Sequence, residues 1–318
     1  MKWRKLGRIF DPAHSHPAGP LLYAQSPQAL VLADRVRIYY STRTIDAGTM
    51  KYISHVAFVE FDRQFSAILR PSDRPIIRRG VVGAYDEHGI FPFHVFRDRT
   101  SLYGFISGWS RRKSVPVETA IGLSMSEDGG ETFVRLGDGP VLASSPKEPF
   151  LVGDPFVCAG RDHYHMWYIF GVAWHRRPGH PAPERTYKIG HAISHDLKYW
   201  IKPTEGEPIV SDRLGETEAQ ALPTVIFRDG LFHMVFCYRA SFDFRHNREN
   251  GYRLGYAVSA DGYNWSRDDQ SLGLERSASG WDSEMMCYPH LFELNGQVHL
   301  LYNGNAFGKT GFGLAVLE

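Results

Sequence analysis

The 318-residue sequence predicts an all-β chain folded as a five-bladed β-propeller. Three observations carry this expectation. A proline opens a β-rich hairpin five times, at Pro27, Pro92, Pro155, Pro223 and Pro289. The spacings between them are 65, 63, 68 and 66 residues, the regular period of a repeat architecture. Aromatics reach 14%, with 31 Gly and 19 Pro, a composition that favours many short strands over long helices.

The hairpins read in order as SPQALVLADRVRIYYSTR from Ser26, FPFHVFRDRTSLYGFISGW from Phe91, DPFVCAGRDHYHMWYIFGVAW from Asp154, LPTVIFRDGLFHMVFCYRA from Leu222 and YPHLFELNGQVHLLYNGNA from Tyr288. Each is a strand, a polar turn (Ala33-Asp34, Arg97-Asp98, Arg161-Asp162, Arg228-Asp229, Asn295-Gly296) and an aromatic-rich strand. A third strand of small and apolar residues follows, within 54–62, 119–133, 188–200, 253–265 and 311–318. Three of these run into similar turns, at Ser126-Glu127-Asp128-Gly129, Ser194-His195-Asp196 and Ser259-Ala260-Asp261-Gly262. There the Asp can bond its own turn backbone, and Phe133, Trp200 or Trp265 follows to cover the next strand.

One such unit cannot bury both faces, so neighbouring units must supply its core. The expected blades are approximately 20–70, 85–142, 148–210, 216–275 and 281–318 plus 3–10, in one domain spanning 1–318. The fifth repeat ends after its third strand, and WRKLGRIF at 3–10 is expected to complete it and close the ring. Segments 175–187 and 241–252 stand outside the repeat and read as loops over one face.

Lys+Arg is 36 against Asp+Glu 35, a formal net charge of +1. That balance removes the electrostatic argument for nucleic acid or an anionic membrane as partner. No stretch approaches the ~18 apolar residues of a membrane helix, and the basic start MKWRKLGRIFDPAHSH lacks an apolar signal run, so a cytoplasmic protein is expected. Cys158, Cys237 and Cys287 are odd in number and sit in hydrophobic runs, which points to reduced, buried thiols. No cofactor is expected, with a divalent ion in the central channel left open.

In a propeller the first strand of each blade lines the channel, and the funnel mouth lies beside its start. Glu87, Glu218 and Glu284 each stand five residues before a proline, and Asp154 directly precedes Pro155. If these loops fold alike, the four carboxylates face one opening. Clustered carboxylates raise one another's proton affinity, so one can be a neutral acid while another stays ionised. That is the equipment for acid–base work on a sugar acetal. The second hairpin strands end in Arg43, Trp109, Trp174, Arg239, Asn303 and Asn305. Trp faces stack on sugar C–H groups, and Arg or Asn can bond hydroxyls or phosphate, although either Trp equally suits packing between blades. His94 and His290 lie just inside first strands, where a His can bond substrate, hold a metal or serve as a hydrogen-bonded core residue. His14 and His16 could reach over the rim.

Gly153-Asp154-Pro155 in the third repeat and Glu218 before the fourth proline resemble the five-bladed glycoside hydrolase superfamily, which includes families 32, 43, 62, 68 and 130. The likeness covers the whole chain in architecture and short motifs in residues. It implies that Asp154 orients substrate and tunes the acid, and that Glu218 is the acid, with a looser match at Glu218. The family's base or nucleophile, an Asp before the first proline, is replaced here by Gln25-Ser26. Glu284 or Glu87 must then take over, or an anion such as the phosphate of a family 130 phosphorylase replaces it, with Arg43 and Arg239 available to hold it. The expected function is a glycoside-active enzyme, hydrolase or transglycosylase/phosphorylase, with a carbohydrate or small glycoside as partner. The alternative is a non-catalytic propeller that binds a glycan or nucleotide sugar. Sialidases share such Asp turns but need six blades, and five repeats are present.

Overall fold

The structure is a computed structural model that describes residues 1–14, 21–180 and 182–318. It is almost entirely β. The strands fall into five antiparallel groups along the chain. The first is β2 (Leu22–Val31), β3 (Arg35–Asp46), β4 (Lys51–Asp62) and β5 (Ile68–Pro71). The second is β6 (Gly89–Asp98), β7 (Ser101–Ser110), β8 (Glu118–Ser126) and β9 (Val134–Arg135), joined to the first by one parallel pairing of Ser54 with Gly89. The third is β10 (Phe150–Ala159), β11 (Tyr164–His175) and β12 (Glu184–Ser194). The fourth is β13 (Glu218–Arg228), β14 (Leu231–Ala240), β15 (Arg253–Ser259) and β16 (Ser266–Arg267). The fifth is β17 (Cys287–Leu294), β18 (Gln297–Asn303) and β19 (Phe312–Leu317), completed by β1 (Trp3–Phe10). Two single-turn helices, α1 (Asp269–Leu272) and α2 (Asn305–Gly308), follow β16 and β18.

The turn chemistry explains the hairpins. Asp229-Gly230 and Asn295-Gly296 both take positive φ at each residue, the twist that two-residue hairpin loops require. In the three Asp turns the carboxylate accepts backbone amides: Thr132 on Asp128, Lys198 and Tyr199 on Asp196, Tyr263 and Asn264 on Asp261.

Each first strand carries a register break at its proline: between Gln25 and Gln28, Ile90 and Phe93, Gly153 and Phe156, Ala221 and Thr224, Cys287 and His290. Proline has no N–H to give the ladder, so pairing opens there. The preceding residue is thrown into the left-handed region at Ser26, Asp154, Leu222 and Tyr288, with φ of 52°, 51°, 48° and 57°. The Phe91–Pro92 bond is cis. A bulge of this kind re-aims the side chain before the proline.

The five first strands touch one another in cyclic order, β2 to β6, β6 to β10, β10 to β13, β13 to β17, and β17 back to β2. Apolar residues fill the spaces between successive groups, the largest cluster joining the third, fourth and fifth around Trp167, Phe236 and Leu300. β1 pairs antiparallel with β19 from Trp3–Leu317 to Phe10–Phe312, so the first and last strands share one sheet. Phe10 stacks 5.1 Å from Phe312 and 5.2 Å from Tyr40, and Lys5 pairs with buried Asp282 at 2.7 Å.

All three cysteines are free thiols. Cys237 and Cys287 are buried, whereas Cys158 is partly exposed near the end of β10, which corrects the expectation for that residue. Among the described residues no helix is long and apolar enough to cross a membrane.

Candidate functional site

The bulges converge on a cavity of about 500 Å³ at the beginnings of the first strands. Phe91, Asp154 and Tyr288, three of the residues directly before a proline, line it. Phe91 and Tyr288, from the second and fifth groups, meet edge to face with ring centroids 5.2 Å apart. Nine of the lining residues are aromatic, among them Tyr23, Tyr52, Trp109, Tyr187, Phe244 and Tyr252. The charged lining residues are Arg43, Arg185, Arg239, Arg245 and a single carboxylate, Asp154.

Asp154 is 8% exposed. Its Oδ2 accepts the Leu222 amide at 3.3 Å, and its own amide donates to Ser107 Oγ at 3.2 Å. Burial pushes its carboxyl up to about 7, against the Leu222 amide and the charge of Arg185, which pull it down. The rise comes from burial, and no second carboxylate takes part.

Gln25, two residues before Pro27 in the first group, also lines the cavity. Its Nε2 donates to the Phe307 carbonyl at 2.6 Å, and its buried Oε1 has no partner among the described residues. Thr119 Oγ1, also on the cavity wall, has none either. Arg43 pairs with Leu22 at the end of β3 and lies over Tyr23 and Tyr52, at 5.1 and 6.0 Å from their ring centroids. On β14, Arg239 is 1% exposed and lies 3.6 Å from the Phe244 ring centroid. It donates to the Ala240 carbonyl at 2.8 Å and to Tyr187 Oη at 3.1 Å, and its Nε has no hydrogen-bond partner among the described residues. The Tyr187 and Tyr252 hydroxyls are 2.5 Å apart, and burial raises the Tyr252 phenol far above its ordinary range.

Of the residues singled out from sequence, the structure brings Asp154, Arg43, Arg239 and Trp109 to this cavity. The three glutamates are not among its lining residues. Glu218 is fully buried, where one oxygen accepts the Arg213 and Leu214 amides at 2.9 Å each. The other accepts Gln220 at 3.0 Å and Arg267 at 2.6 Å. That carboxylate ties the loop before β13 to β16. Glu87 caps a local turn through the Gly83 amide at 3.1 Å, and Glu284 is exposed. The expected convergence of four carboxylates therefore does not occur. The bulge selects the residue one before the proline, not five before.

His94 on β6 and His290 on β17 are buried and not among the cavity's lining residues, with ring centroids 6.3 Å apart. His94 bonds Gln28 at 3.1 Å and the Val157 carbonyl at 3.2 Å, and burial holds it near 4 and His290 near 3, both neutral. Asn303 bonds the Ser26 amide at 2.8 Å and the Ala24 and Gly311 carbonyls at 2.7 Å each, clamping the first group to the fifth. Asn305 organises the loop before β17 by accepting the Glu284 and Met285 amides. Trp174 packs against the core at the end of β11, outside the cavity lining. His14 is exposed beside Asp11, and His16 lies outside the described residues. Among the described residues no group of three or more His, Cys, Asp and Glu is placed to hold a metal ion.

The sequence reading missed Arg185, Tyr187, Phe244, Arg245 and Tyr252. They stand in or beside the segments 175–187 and 241–252, whose departure from the repeat was the available signal.

No family model matches the chain. Two Mycobacterium tuberculosis proteins, the uncharacterised MT1551 of strain CDC 1551 and Rv1502 of strain H37Rv, are each 33% identical over 324 residues, covering 100% of both chains. Among solved structures, a glycoside hydrolase superposes over 99% of this chain and 91% of its own with a TM-score of 0.73 at 17% identity. The β-1,2-mannobiose phosphorylase of Listeria innocua, in its β-1,2-mannobiose complex, covers 100% and 97% with a TM-score of 0.69 at 12% identity. A thermostable family-43 glycoside hydrolase covers 95% and 90% with a TM-score of 0.64 at 13% identity. At such identities the likeness concerns the fold. The chain belongs to the family of Rv1502 and MT1551, and its fold is that of the propeller glycoside hydrolase superfamily.

Proposed function

We propose that this protein is a five-bladed propeller whose cavity cleaves or forms a glycosidic bond, with Asp154 as the proton donor and an anion as the attacking partner. The cyclic contacts of the five first strands support the ring, with blades near 20–70, 85–142, 148–210, 216–275 and 281–318 plus 3–10. The observation that carries the chemistry is the lone carboxylate. Asp154, held protonated up to a pH of about 7, stands among four arginines and an aromatic wall, and Gln25 stands where a base is needed.

A cavity with one carboxylate lacks the second group of a two-carboxylate glycosidase. Inorganic phosphate supplies it. A phosphate oxygen attacks the anomeric carbon as the bond to the leaving oxygen breaks. That oxygen takes the Asp154 proton, and the products are a sugar 1-phosphate and the free acceptor. Asp154 is then reprotonated from solvent. Arg43, which lines the cavity from the first group as Gln25 does and is in no ion pair among the described residues, suits the phosphate. Trp109 and the tyrosines suit the sugar faces.

The test is product analysis after incubation with a panel of disaccharides, with and without inorganic phosphate. Phosphate-dependent sugar 1-phosphate supports the reading. Turnover that ignores phosphate contradicts the anion as attacking partner. Sugar binding without turnover on any glycoside points to the alternative, a propeller that binds a glycan or nucleotide sugar, which the same missing base favours.

A further inference from the structure

The cavity holds more positive charge than one phosphate requires. Arg43 belongs to the first group. Arg185 on β12 and Arg239 on β14 belong to the third and fourth, and the first and fourth groups are not neighbours in the cyclic order. Arg245 is compensated by Glu184 at 2.6 Å. Arg185 and Arg239 enter no ion pair among the described residues.

Arg239 is the telling group. It is 1% exposed, yet its hydrogen-bond acceptors are a carbonyl and a phenol, both neutral, and its Nε has no hydrogen-bond partner among the described residues. Only the Tyr187, Phe244 and Tyr252 rings, 5.3, 3.6 and 5.5 Å away, face this buried charge in place of an anion, so a fold that keeps it has a use for it. Phe244, 3.6 Å away, supports its plane, while Tyr187 and Ala240 fix one edge. A guanidinium held flat with a donor unused suits a carboxylate or phosphate oxygen pair.

We propose that Arg239, assisted by Arg185, binds an anionic group carried by the sugar itself, so that the ligand is an acidic glycoside bearing a carboxylate or a phosphate monoester. The proposal rests on the reading of this cavity as a carbohydrate site and is independent of whether the site turns over. It gives the two cationic poles different duties, with Arg43 serving the attacking anion and Arg239 selecting the substrate.

The test is calorimetric titration of the whole protein in phosphate-free buffer with glucose, glucuronate and glucose 6-phosphate, the galactose counterparts, and mannose with mannose 6-phosphate. At least one acidic sugar should bind about tenfold or more tightly than its neutral parent. The carboxylate and phosphate arms identify the source of the charge. Arg239→Lys and Arg185→Met should each remove most of that preference without weakening the neutral sugar. Arg185 is only half buried, so its variant keeps the test decisive if Arg239→Lys fails to fold by thermal melting.

Equal affinity for acidic and neutral sugars across the panel overturns the proposal. So does a preference that survives both substitutions. A preference for acidic sugars without turnover would sink the catalytic reading alone. Turnover of neutral glycosides without the preference would sink this inference alone.

Discussion

The Asp154 carboxylate accepts the Leu222 amide at 3.3 Å, joining two residues that each precede the proline of their strand, in neighbouring groups. Two bulges thus hold one carboxyl in place at the base of the cavity. The contact orients the side chain while leaving most of the cost of ionising it unpaid, which is why burial prevails and the carboxyl titrates near 7.

That value fixes the pH behaviour of Asp154. Its free-chain pKa is about 3.9. Below that, both folded and unfolded chains hold the proton and this group's contribution to stability is fully present. Between about 4 and 7 only the unfolded chain releases it, so stability falls as pH rises and levels off above 7. The full loss is at most about 4 kcal/mol. Asp154→Asn should melt like wild type near pH 4 and higher than wild type at pH 8. Wild-type kcat should fall roughly tenfold per pH unit above 7, and the variant should lose turnover while retaining sugar binding. Equal stability of the two proteins at pH 8 would contradict the raised proton affinity.

Glu218 should behave as a structural carboxylate. Removing its charge leaves buried Arg267 with Asp269 as its one carboxylate partner, so Glu218→Gln should destabilise the fold by about 1–3 kcal/mol in thermal or denaturant unfolding. The kcat of the folded variant should stay near wild type. Lost turnover with unchanged melting would restore Glu218 as the acid.

Trp109 lines the cavity with its indole N–H bonded to Ser54 Oγ at 2.6 Å, which fixes the ring. Trp109→Ala should raise KM for a glycoside about tenfold with a small change in kcat. An unchanged KM would place the sugar elsewhere.

Removing residues 1–10 takes β1 from β19, uncovers a sheet edge, and strips Phe10 from Tyr40 and Phe312 and Lys5 from Asp282. Calorimetry should show loss of the cooperative transition or a large fall in Tm. A transition identical to that of the full chain would refute closure by β1.

The strands, the hairpin turns and the pairing of 3–10 with the last strand were legible because they follow from local pattern: aromatic-rich runs opened by a proline, turn residues at fixed offsets, and a repeat one strand short. The site was half legible. Arg43, Arg239 and Trp109 lie toward strand ends and Asp154 at a proline bulge, positions the repeat dictates. Glu87, Glu218 and Glu284 misled because equal spacing from a proline does not give equal direction in irregular loops. Glu218 turns inward to Arg267, Glu284 faces solvent, and Glu87 caps its own turn. The direction is set at the bulge, one residue before the proline, by a positive φ at four of the five positions, which no alternation pattern reveals. Phe244 and Tyr252 enter from a segment outside the repeat, where periodicity carries no information.

The most direct test of the account is a crystal structure of Asp154→Asn with a disaccharide and inorganic phosphate bound. The account predicts the sugar against Trp109, its glycosidic oxygen about 2.6–3.2 Å from the residue 154 amide, and the phosphate beside Arg43 on the opposite face of the ring. A sugar seated away from residue 154, for instance in the outer groove lined by Arg248, Arg253 and Arg276, would contradict it.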